Sequence, residues 1–577
     1  MNTLRPLSAF LTSALLTLAP VAAQVAPDLA ERIKHEGLQN SKVMDYLRDL
    51  TANIGHRLTG SDNFTRACEW AAEEFEKMGL SNVHLHHWAD WPVVWNREQW
   101  IGRVLSPVNL ELQVATEAWT AGTAGRVPGR LVLPPKTAEE IDAFGEGWKQ
   151  CYVLVPRVGT RPNPNLLRTL ETKGVLGFVR SGWDGDAKFP TRLRVFGNQN
   201  VTWERRPTVP QIKVRSDQFD ELVAMLEEHQ RGEGPEVTVE FDIRNRWRKG
   251  PIALHNVIAE IPGSEKPDEV VVVCGHLDSW HQAQGTTDNG TGTTSTMEAA
   301  RILAAVGARP KRTIRFMLWG GEEQGLLGSN AYVTKHRTQM DKVSAVFNHD
   351  TGTNWAHSLT ITEAMEPAMR QVIEPVLSMQ APDPGFEGPV FELRVQKQIS
   401  GGGGSDHASF LRAGVPAFPW GLRGRSNYFQ YTWHTQWDTF DVAIPEYQRH
   451  TSTVIALVAL GVANLPELLP REGVVRSGGG TDAKSILEGM LGVELEELTV
   501  KTVRADGVAQ KAGFRNGDQI VAMGEVEVAR ARDVLVQMRE QQPPFLVKVR
   551  RGDALVVLPM DRPAAAASRP AARRDGE

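Results

Sequence analysis

The chain contains very few cysteines. Its 577 residues include only three, Cys68, Cys151 and Cys274. Three thiols form at most one bridge, which is too few for a disulfide framework, and on their own they cannot make a thiolate zinc site. Any metal ion that this chain binds must therefore be held by histidine, aspartate and glutamate side chains.

The chain also lacks an excess of positive charge. Its 64 lysines and arginines are outnumbered by 69 aspartates and glutamates, and the formal net charge is −5. No basic surplus exists to neutralise phosphates, so we expect no nucleic-acid partner. Hydrophobic residues make up 41% and charged residues 23%, which excludes wholesale disorder. At about 150 residues per domain, the length predicts about two to four domains.

Long apolar runs are absent except near the N-terminus. There Arg5 is followed by an apolar stretch that ends in the small residues Ala22 and Ala23. This order is typical of a secretory signal peptide. The stretch is shorter than the ~20 apolar residues of a membrane span, and Pro20 interrupts it. We predict a signal peptide over residues 1–23, a secreted or periplasmic mature protein and no membrane span.

Composition divides the rest of the chain into segments. Short apolar runs alternate with proline and glycine turns between about residues 110 and 245, which predicts a β-rich insert. The stretch 84–100 contains four tryptophans and three histidines, and we expect it to bury aromatic side chains between domains. The predicted organisation is a main domain over 24–110 and 246–465, an insert over 111–245, a linker over 466–482, a compact domain over 483–562 and a disordered tail over 563–577.

Three apolar stretches have the composition of buried parallel strands. They cover residues 270–274, 313–319 and 345–348, and a helix is predicted over about 292–305 between the first two. A strand, helix, strand order indicates an α/β fold. Because the strands are apolar throughout, we expect both faces of the sheet to be covered. The predicted fold class is therefore a doubly wound, mostly parallel sheet.

Acidic residues and histidines follow these strands. Six of them come soon after a predicted strand, and a seventh lies far downstream: His276, Asp278, Asp288, Glu322, Glu323, Asp350 and His434. Ligands gather at the carboxyl ends of the strands in an open α/β sheet. Several carboxylates crowded there repel one another unless cations neutralise them, and histidine with aspartate or glutamate suits zinc. Five ligands, one of which bridges, match two zinc ions ~3.5–4 Å apart.

Two short motifs suggest supporting roles. Adjacent Glu322 and Glu323 point in different directions, so one can bind metal while the other acts as the general base for a metal-activated water. In the extended His276-Leu-Asp278 segment, alternation puts His276 and Asp278 on one side, where Asp278 can orient His276. Taken singly, a Glu-Glu pair is usually a solvated face and Asp350 could cap a helix. Because all these residues follow predicted strands in order, we favour a shared metal site over these separate readings.

The order of these motifs resembles a known family, the co-catalytic zinc exopeptidases. This family includes bacterial leucyl aminopeptidases, glutamate carboxypeptidase and, most similar to this chain, carboxypeptidase Q. The resemblance covers roughly residues 28–465. The matching motifs are GHLDSW at 275–280, TTDNGTG at 286–292, GGEEQGLLGS at 320–329, NHDTGT at 348–353, GGSDH at 403–407 and WHTQWDT at 433–439.

The resemblance implies a role for each matched ligand. His276 and Asp350 would bind one zinc ion, and Glu323 and His434 would bind the other. Asp288 would bridge both ions. The family therefore implies two zinc ions and a peptide substrate.

The resemblance also implies catalytic roles and reveals one departure. Glu322 would be the general base, and Asp278 would support His276. The insert resembles, more loosely, the protease-associated domain of such enzymes. Some relatives carry a tyrosine that assists the oxyanion three residues before the Ser-Asp-His triplet, where this chain has Gly402. Oxyanion stabilisation would then rest on zinc or on backbone N–H groups of residues 401–404, and we expect His407 in a supporting or substrate-binding position.

Residues 483–562 resemble a PDZ domain. Residues 490–493 (MLGV) lie where a carboxylate-binding loop is expected, and residues 512–520 (AGFRNGDQI) match the most recognisable stretch of that domain. PDZ domains bind C-terminal peptides by strand addition, so the resemblance implies such a partner. A packing module without a ligand is the alternative.

The sequence thus predicts a secreted, zinc-dependent exopeptidase that hydrolyses terminal bonds of dipeptides or short peptides, preferably with a free N-terminus. Three alternatives stay open: a strict carboxypeptidase, a zinc-dependent glutaminyl cyclotransferase and a non-catalytic receptor-like module. Loss of a ligand or of Glu322 would favour the last, and neither is lost. The sequence also leaves open whether the chain forms a homodimer.

Overall fold

The computed structural model describes residues 25–156, 164–183, 189, 191–401, 403–476, 483–505, 507–524, 526–528, 531–540 and 544–561. The chain divides into two compact units between Val475 and Arg476. The predicted signal peptide and the predicted tail lie outside the described residues. None of the helices within these ranges combines the length and the hydrophobicity that a membrane crossing requires.

The first unit begins with three helices and a long strand, continues through the insert and returns in a second long strand. These elements are α1 (Pro27–Gln39), α2 (Val43–Arg48), α3 (Asp62–Lys77), β1 (Ser81–Ser106), β2 (Leu110–Leu112), β3 (Val114–Thr116), β4 (Arg126–Val132), α4 (Ala138–Phe144), β5 (Cys151–Leu154), α5 (Pro164–Lys173), β6 (Gly177–Ser181), β7 (Gln211–Val214), α6 (Ser216–Gln230) and β8 (Thr238–Ile261).

The remainder of the first unit alternates strands and helices. Its elements are β9 (Lys266–His276), α7 (Thr291–Ala305), β10 (Arg312–Trp319), α8 (Leu327–Lys335), β11 (Val343–Asn348), β12 (Trp355–Thr362), α9 (Glu366–Leu377), β13 (Glu392–Gln396), β14 (Ile399–Ser400), α10 (His407–Arg412), β15 (Ala417–Pro419), β16 (Gly421–Arg423), α11 (Pro445–Ala463) and β17 (Val474–Val475).

Strand β9 lies in the middle of the main sheet. It pairs in parallel with β10 on one side and with β11 on the other, and β15 pairs in parallel with β11. Beyond β10 the sheet continues antiparallel with β8 and β1. The three predicted strands are present, and the prediction of an α/β fold with a mostly parallel central sheet is confirmed.

Both faces of β9 are buried, as its continuous apolar sequence predicts. Val271 and Val273 pack in a cluster that contains residues of α7 and α11. Val272 and Cys274 point the other way, into a cluster that contains residues of α8 and α10. Helices therefore cover both faces of the sheet around β9. A ligand can then reach this strand only at its ends.

The insert contains helices as well as strands. Strands β4, β5, β6 and β7 pair in parallel in that order, and helices α4, α5 and α6 alternate with the strands along the chain. The insert, predicted to be β-rich, therefore combines strands and helices in its described residues. Helix α4 starts because the Thr137 side chain accepts a hydrogen bond from the Glu140 N–H, and α6 buries Phe219, Leu222 and Leu226 at helical spacing.

Tryptophans fill the contact between the insert and the main sheet. The buried cluster there includes Trp95 from β1, Trp119 from the insert and Trp280 from the segment after β9. The Trp95 indole N–H donates to the Thr120 carbonyl at 2.9 Å. The expectation is met in part: Trp95 is buried between the insert and the main sheet, and Trp91 and Trp100 pack partly buried against the same cluster. Trp88 packs against another cluster, and His84 and His87 are exposed.

Part of the predicted linker belongs to the first unit. Strand β17 pairs in parallel with β14, and Leu469 is buried. The Arg471 guanidinium donates to the Gly414, Met340 and Val343 carbonyls. The prediction of a linker that begins at residue 466 is therefore wrong, and residues 477–482 lie outside the described residues.

The second unit is a small α/β module with its own core. Its elements are α12 (Ala483–Leu491), β18 (Val493–Glu496), β19 (Thr499–Val503), α13 (Val508–Ala512), β20 (Gln519–Met523), β21 (Val526–Glu527), α14 (Ala531–Glu540), β22 (Phe545–Arg551) and β23 (Ala554–Met560). The strand order is β18-β19-β20-β22-β23, with β21 beside β20. Asp518 is buried and binds the Arg551 guanidinium through both carboxylate oxygens at 2.7 Å.

Candidate metal centre

The parallel register of the main sheet brings three segments to one edge. His276 is the last residue of β9 and lies opposite Trp319, the last residue of β10. The chain turns there, and the His276 Nε2 lies 3.9 Å from a Glu322 carboxylate oxygen and 3.5 Å from an Asp350 carboxylate oxygen. Sheet topology alone therefore gathers one imidazole and two carboxylates.

Asp288 connects this group to a second one. It lies just before α7, and its Oδ1 is 3.4 Å from the His276 Nε2. Its Oδ2 is 3.1 Å from the His434 Nε2, which is also 3.1 Å from a Glu323 carboxylate oxygen. The two oxygens of Asp288 thus point to different imidazoles, which is the arrangement that a bridging carboxylate needs.

The arrangement fits metal binding. All five predicted ligands and Glu322 come together, although their segments are far apart in the sequence. One ligand atom each from His276, Asp288 and Glu323 lie within 4.8 Å of one another. The His276 Nε2 and the Asp288 Oδ2 are buried without a hydrogen-bond partner. Buried polar atoms rarely lack a partner, and two divalent cations would supply one to each of these atoms.

Asp278 supports the centre through contacts that differ from the expected one. The His276 Nδ1 bonds to the backbone carbonyl of Asp278 at 3.0 Å, while the Asp278 carboxylate lies 3.7 Å from it. That carboxylate accepts hydrogen bonds from the Glu322 N–H, the Glu323 N–H and the Thr59 hydroxyl. Asp278 therefore fixes the Glu322-Glu323 turn with its side chain and the His276 ring with its backbone.

The pKa values reflect the crowding of buried acidic groups. Burial raises the pKa of Glu322 well above its ordinary value, and the His276 ring offsets only part of this. Burial and then the Asp288 charge raise the pKa of Glu323 to about 7. Burial alone would lower the pKa of His434, but Glu323 and Asp288 raise it to about 9. Carboxylates in this centre cannot all stay ionised without added positive charge.

One buried arginine contributes positive charge close to the acidic groups of the centre. Arg57 is fully buried, and its guanidinium donates to the Leu277 and Gly285 carbonyls at 2.7 Å and to the Gln284 carbonyl at 2.8 Å. Burial lowers its pKa to about 10, while nearby acidic groups, Asp438 first, counteract this shift. Arg57 therefore remains a cation, and it also fixes both segments that carry His276 and Asp288.

His434 reaches the centre from an irregular segment. It follows a helical turn over Tyr428–Thr432, and its backbone φ is +60°. A residue with a side chain in this left-handed region stores about 1–3 kcal/mol of strain, which the surroundings must hold in place. Part of that support comes from the insert, since the Val195 N–H donates to the His434 carbonyl at 3.2 Å.

A cavity opens beside the centre. Its volume is about 510 Å³, and it is lined by Asp288, Glu322, Glu323, Gly325, Leu326, Asp350, Thr351, Gly404, Ser405, His407, Pro419, Tyr428, Phe429, Trp433 and His434. Among these described lining residues none is a lysine or arginine. Leu326, Phe429 and Trp433 make part of its wall apolar. The cavity thus combines the acidic centre with a surface for an apolar group.

His407 is one of the buried residues of this cavity. Its side chain lines the cavity and is almost fully buried, and burial lowers its pKa to about 4. Neutral His407 therefore adds no positive charge to the cavity. Gly402, the other residue of interest in this loop, lies outside the described residues.

Two further residues of the site were not predicted. Tyr428 is buried and lines the cavity, and burial, followed by the charges of Asp288 and Asp350, raises the pKa of its hydroxyl well above the ordinary value. Asp438 accepts hydrogen bonds from the Thr287 N–H at 2.6 Å and from the Asp288 N–H at 3.2 Å. Asp438 lies within the WHTQWDT motif, so the motif indicated it. Tyr428 has no such indication beyond the aromatic composition of its segment.

Fold and site together define a class of protein. It is an α/β protein with a mostly parallel sheet, in which histidine and carboxylate side chains meet beside a cavity at the carboxyl ends of the strands. Residues 256–458 match the sequence profile of peptidase family M28. The predicted resemblance to the co-catalytic zinc exopeptidases is thus confirmed, and the family match is confined to residues 256–458.

Longer similarities extend beyond that segment. Carboxypeptidase Q of Mus musculus is 27% identical over 446 residues, which cover 75% of this chain and 88% of the relative. Carboxypeptidase Q of Bos taurus is 28% identical over 442 residues, with the same shares covered. A crystal structure of a peptidase M28 precursor from Shewanella amazonensis SB2B superposes with a TM-score of 0.55 at 24% identity, covering 77% of this chain and 98% of that one. The structural similarity shows that the two share a fold.

Proposed function

We propose that the first unit is an exported, zinc-dependent exopeptidase that hydrolyses the terminal bond of dipeptides or short peptides. One observation carries the proposal: the two oxygens of Asp288 lie near different imidazoles, those of His276 and His434, which come from separate segments of the chain. The similarity to carboxypeptidase Q supports the peptide substrate. The N-terminal sequence supports export.

The ligand assignment follows from the distances. His276 and Asp350 would hold one zinc ion, His434 and Glu323 would hold the other, and Asp288 would bridge them. When bound, zinc polarises a peptide carbonyl and lowers the pKa of a coordinated water. The buried, unpartnered His276 Nε2 and Asp288 Oδ2 support this assignment.

Glu322 is the proposed general base. Its carboxylate lines the cavity and lies 3.9 Å from the His276 Nε2, and its backbone is fixed by the bond from its N–H to Asp278. It would accept the proton of the attacking water and pass that proton to the nitrogen of the leaving amine. The apolar wall of Leu326, Phe429 and Trp433 would position the substrate and exclude water.

The cavity favours a free amino terminus over a free carboxylate. A terminal ammonium could donate hydrogen bonds to the carboxylates of the lining. A terminal carboxylate would meet no lysine or arginine among the described lining residues. Strict carboxypeptidase activity, which the names of the relatives suggest, and glutaminyl cyclisation are the alternative outcomes of a substrate panel.

Glu322→Gln tests the function against a matched neighbour. Glutamine keeps the shape of the side chain but cannot accept a proton, so kcat should fall by about 10²–10⁴-fold while the zinc content stays at the wild-type value. Glu323→Gln should instead lose zinc. Metal analysis and cleavage of free, N-acetylated and C-amidated dipeptides measure both effects, with a chelator and zinc re-addition as the control. Near wild-type turnover of Glu322→Gln would refute the role of the base.

For the second unit we propose capture of C-terminal peptides, as in PDZ domains. Strand β18 lies at one end of the strand order. Of the predicted loop over residues 490–493, the first two residues end α12, Gly492 forms the turn and Val493 begins β18. Gly492 has a φ of +72°, which a residue with a side chain rarely adopts. A tight turn at Gly492 followed by an edge strand leaves the free strand edge that strand addition requires.

Peptides with blocked ends test this second function. Fluorescent decapeptides with apolar C-terminal residues should bind the full chain, and the same peptides with amidated C-termini should bind much more weakly, because the loop would lose its carboxylate contact. Fluorescence anisotropy measures both. Equal binding of the free and amidated forms, or binding of neither, would contradict capture of a C-terminus and favour a packing role.

A further inference from the structure

The insert contacts the segment that carries His434 at several points. Leu193, Arg194 and Val195 run antiparallel to residues 434–436, with a bridge between Arg194 and Thr435. The Val195 N–H donates to the His434 carbonyl at 3.2 Å. We name residues 191–196 the docking segment of the insert.

Side chains strengthen this backbone contact. The Leu193 N–H donates to the Gln436 side-chain carbonyl at 2.9 Å, and the Gln436 amide donates back to the Thr191 carbonyl at 2.6 Å. The Phe196 ring lies 5.0 Å from the His434 ring in an edge-to-face arrangement. His434 is thus held from the insert at both its backbone and its ring.

Arg194 lies at the middle of this contact. Its guanidinium is 4.4 Å from the ring centroid of Trp183 in the insert and 4.3 Å from that of Trp433, the neighbour of His434. It also donates to the Phe429 carbonyl at 3.1 Å. Only 4% of Arg194 is exposed. A cation between two aromatic faces is held firmly when it is desolvated.

The backbone of His434 explains why such support is needed. With a φ of +60°, His434 adopts a conformation that persists only when its surroundings enforce it. His276, in contrast, ends a regular strand. The region that matches the family profile, residues 256–458, contains His434 but not the docking segment.

We propose that the insert is a positioning element of the metal centre, and that Arg194 is a positioning residue that holds His434 in its ligating conformation. This inference rests on the proposed function, because it requires His434 to be a zinc ligand. Loss of the contact should weaken the zinc ion held by His434 and Glu323, while the ion held by His276 and Asp350 is retained.

Arg194→Ala in the full chain tests the proposal. We expect the affinity for one of the two zinc ions to fall about tenfold or more, with the other unchanged. The kcat should fall, and KM should rise as well because Arg194 holds Phe429 and Trp433 of the cavity wall, so the separate zinc affinities are the deciding measurement. Arg194→Lys keeps the charge but loses the planar stack, so it should be intermediate. Competition with a chelator of known zinc affinity measures each ion.

A second variant covers the case in which Arg194→Ala does not fold. Gln436→Ala removes two of the bonds from a partly exposed position and should show the same pattern with a smaller effect. Hydrogen exchange of residues 428–437 in the zinc-free protein should be faster in both variants. Arg231→Ala is the control, because Arg231 lies in the same insert in an exposed ion pair with Glu233.

The outcomes separate this inference from the proposed function. A wild-type chain that binds no zinc and cleaves no dipeptide refutes the proposed function, whatever the variants do. A zinc-loaded, active wild type with unchanged zinc affinities in Arg194→Ala and Gln436→Ala overturns the positioning role alone. Faster exchange of residues 428–437 without weaker zinc binding would overturn it as well.

Discussion

The two imidazoles of the centre are supported in different ways. His276 ends β9, and its position follows from the parallel register with β10 and β11. His434 lies in an irregular segment with a left-handed backbone, and its carbonyl is bonded to the insert. One half of the centre is therefore built into the sheet, whereas the other half is assembled by contacts between distant parts of the chain.

This difference has a physical consequence. A strand end buried on both faces moves only when the core of the sheet is disrupted, so the His276 half should resist local changes. The His434 half depends on a few hydrogen bonds and ring contacts, each of which contributes little alone. We therefore expect substitutions near β9 to affect both ions strongly and substitutions in the insert to affect one ion mildly.

Asp278→Asn should have the larger effect and tests the half built into the sheet. The Asp278 carboxylate accepts hydrogen bonds from the Glu322 and Glu323 N–H groups, so it fixes the proposed general base and a proposed ligand of the other half. An asparagine side chain offers one acceptor and directs an amide toward one of these donors. We expect zinc affinity and kcat each to fall about 10- to 100-fold, measured by chelator competition and dipeptide hydrolysis.

Thr59→Val is the matched control for this prediction. It removes only the hydroxyl that donates to the Asp278 carboxylate at 2.9 Å and leaves the charge in place. Its effect on both quantities should be several times smaller. If Asp278→Asn weakened only one zinc ion, the expectation that the sheet half controls the whole centre would be wrong.

The same difference decides what the sequence could predict. Strand ends, apolar periodicity and the order of the motifs predicted His276, Asp288, Glu322 and the α/β fold, because these depend on local patterns and on sheet topology. The motif around His434 identified that residue but not its support. The contact between Val195 and His434 joins residues that are far apart in the sequence and carry no shared motif.

Other differences have the same origin. Helix α4 has only seven residues, and the Thr137 cap marks its start, so the alternation of short apolar runs and turns suggested a β-rich module instead. Arg57 was missed because its role depends on three backbone carbonyls from residues 277–285. Every residue carries a backbone carbonyl, so the sequence does not indicate which of them will accept a hydrogen bond from a buried arginine.

Trp183→Leu should have the smaller effect and tests the half held by the insert. It removes one of the two rings that hold the Arg194 guanidinium, at 4.4 Å, and leaves the Trp433 ring on the other side. A cation–π contact contributes about 0.5–2 kcal/mol, and part of it is retained, so the affinity for one zinc ion should fall about two- to fivefold.

Trp203→Leu, which breaks the separate stack with Arg206 at 4.0 Å in the insert, is the control in the same chelator competition. An equal loss in both variants would mean that general loosening of the insert, rather than the hold on Arg194, weakens the centre, whereas a loss confined to Trp183→Leu would tie the His434 half to that one side chain.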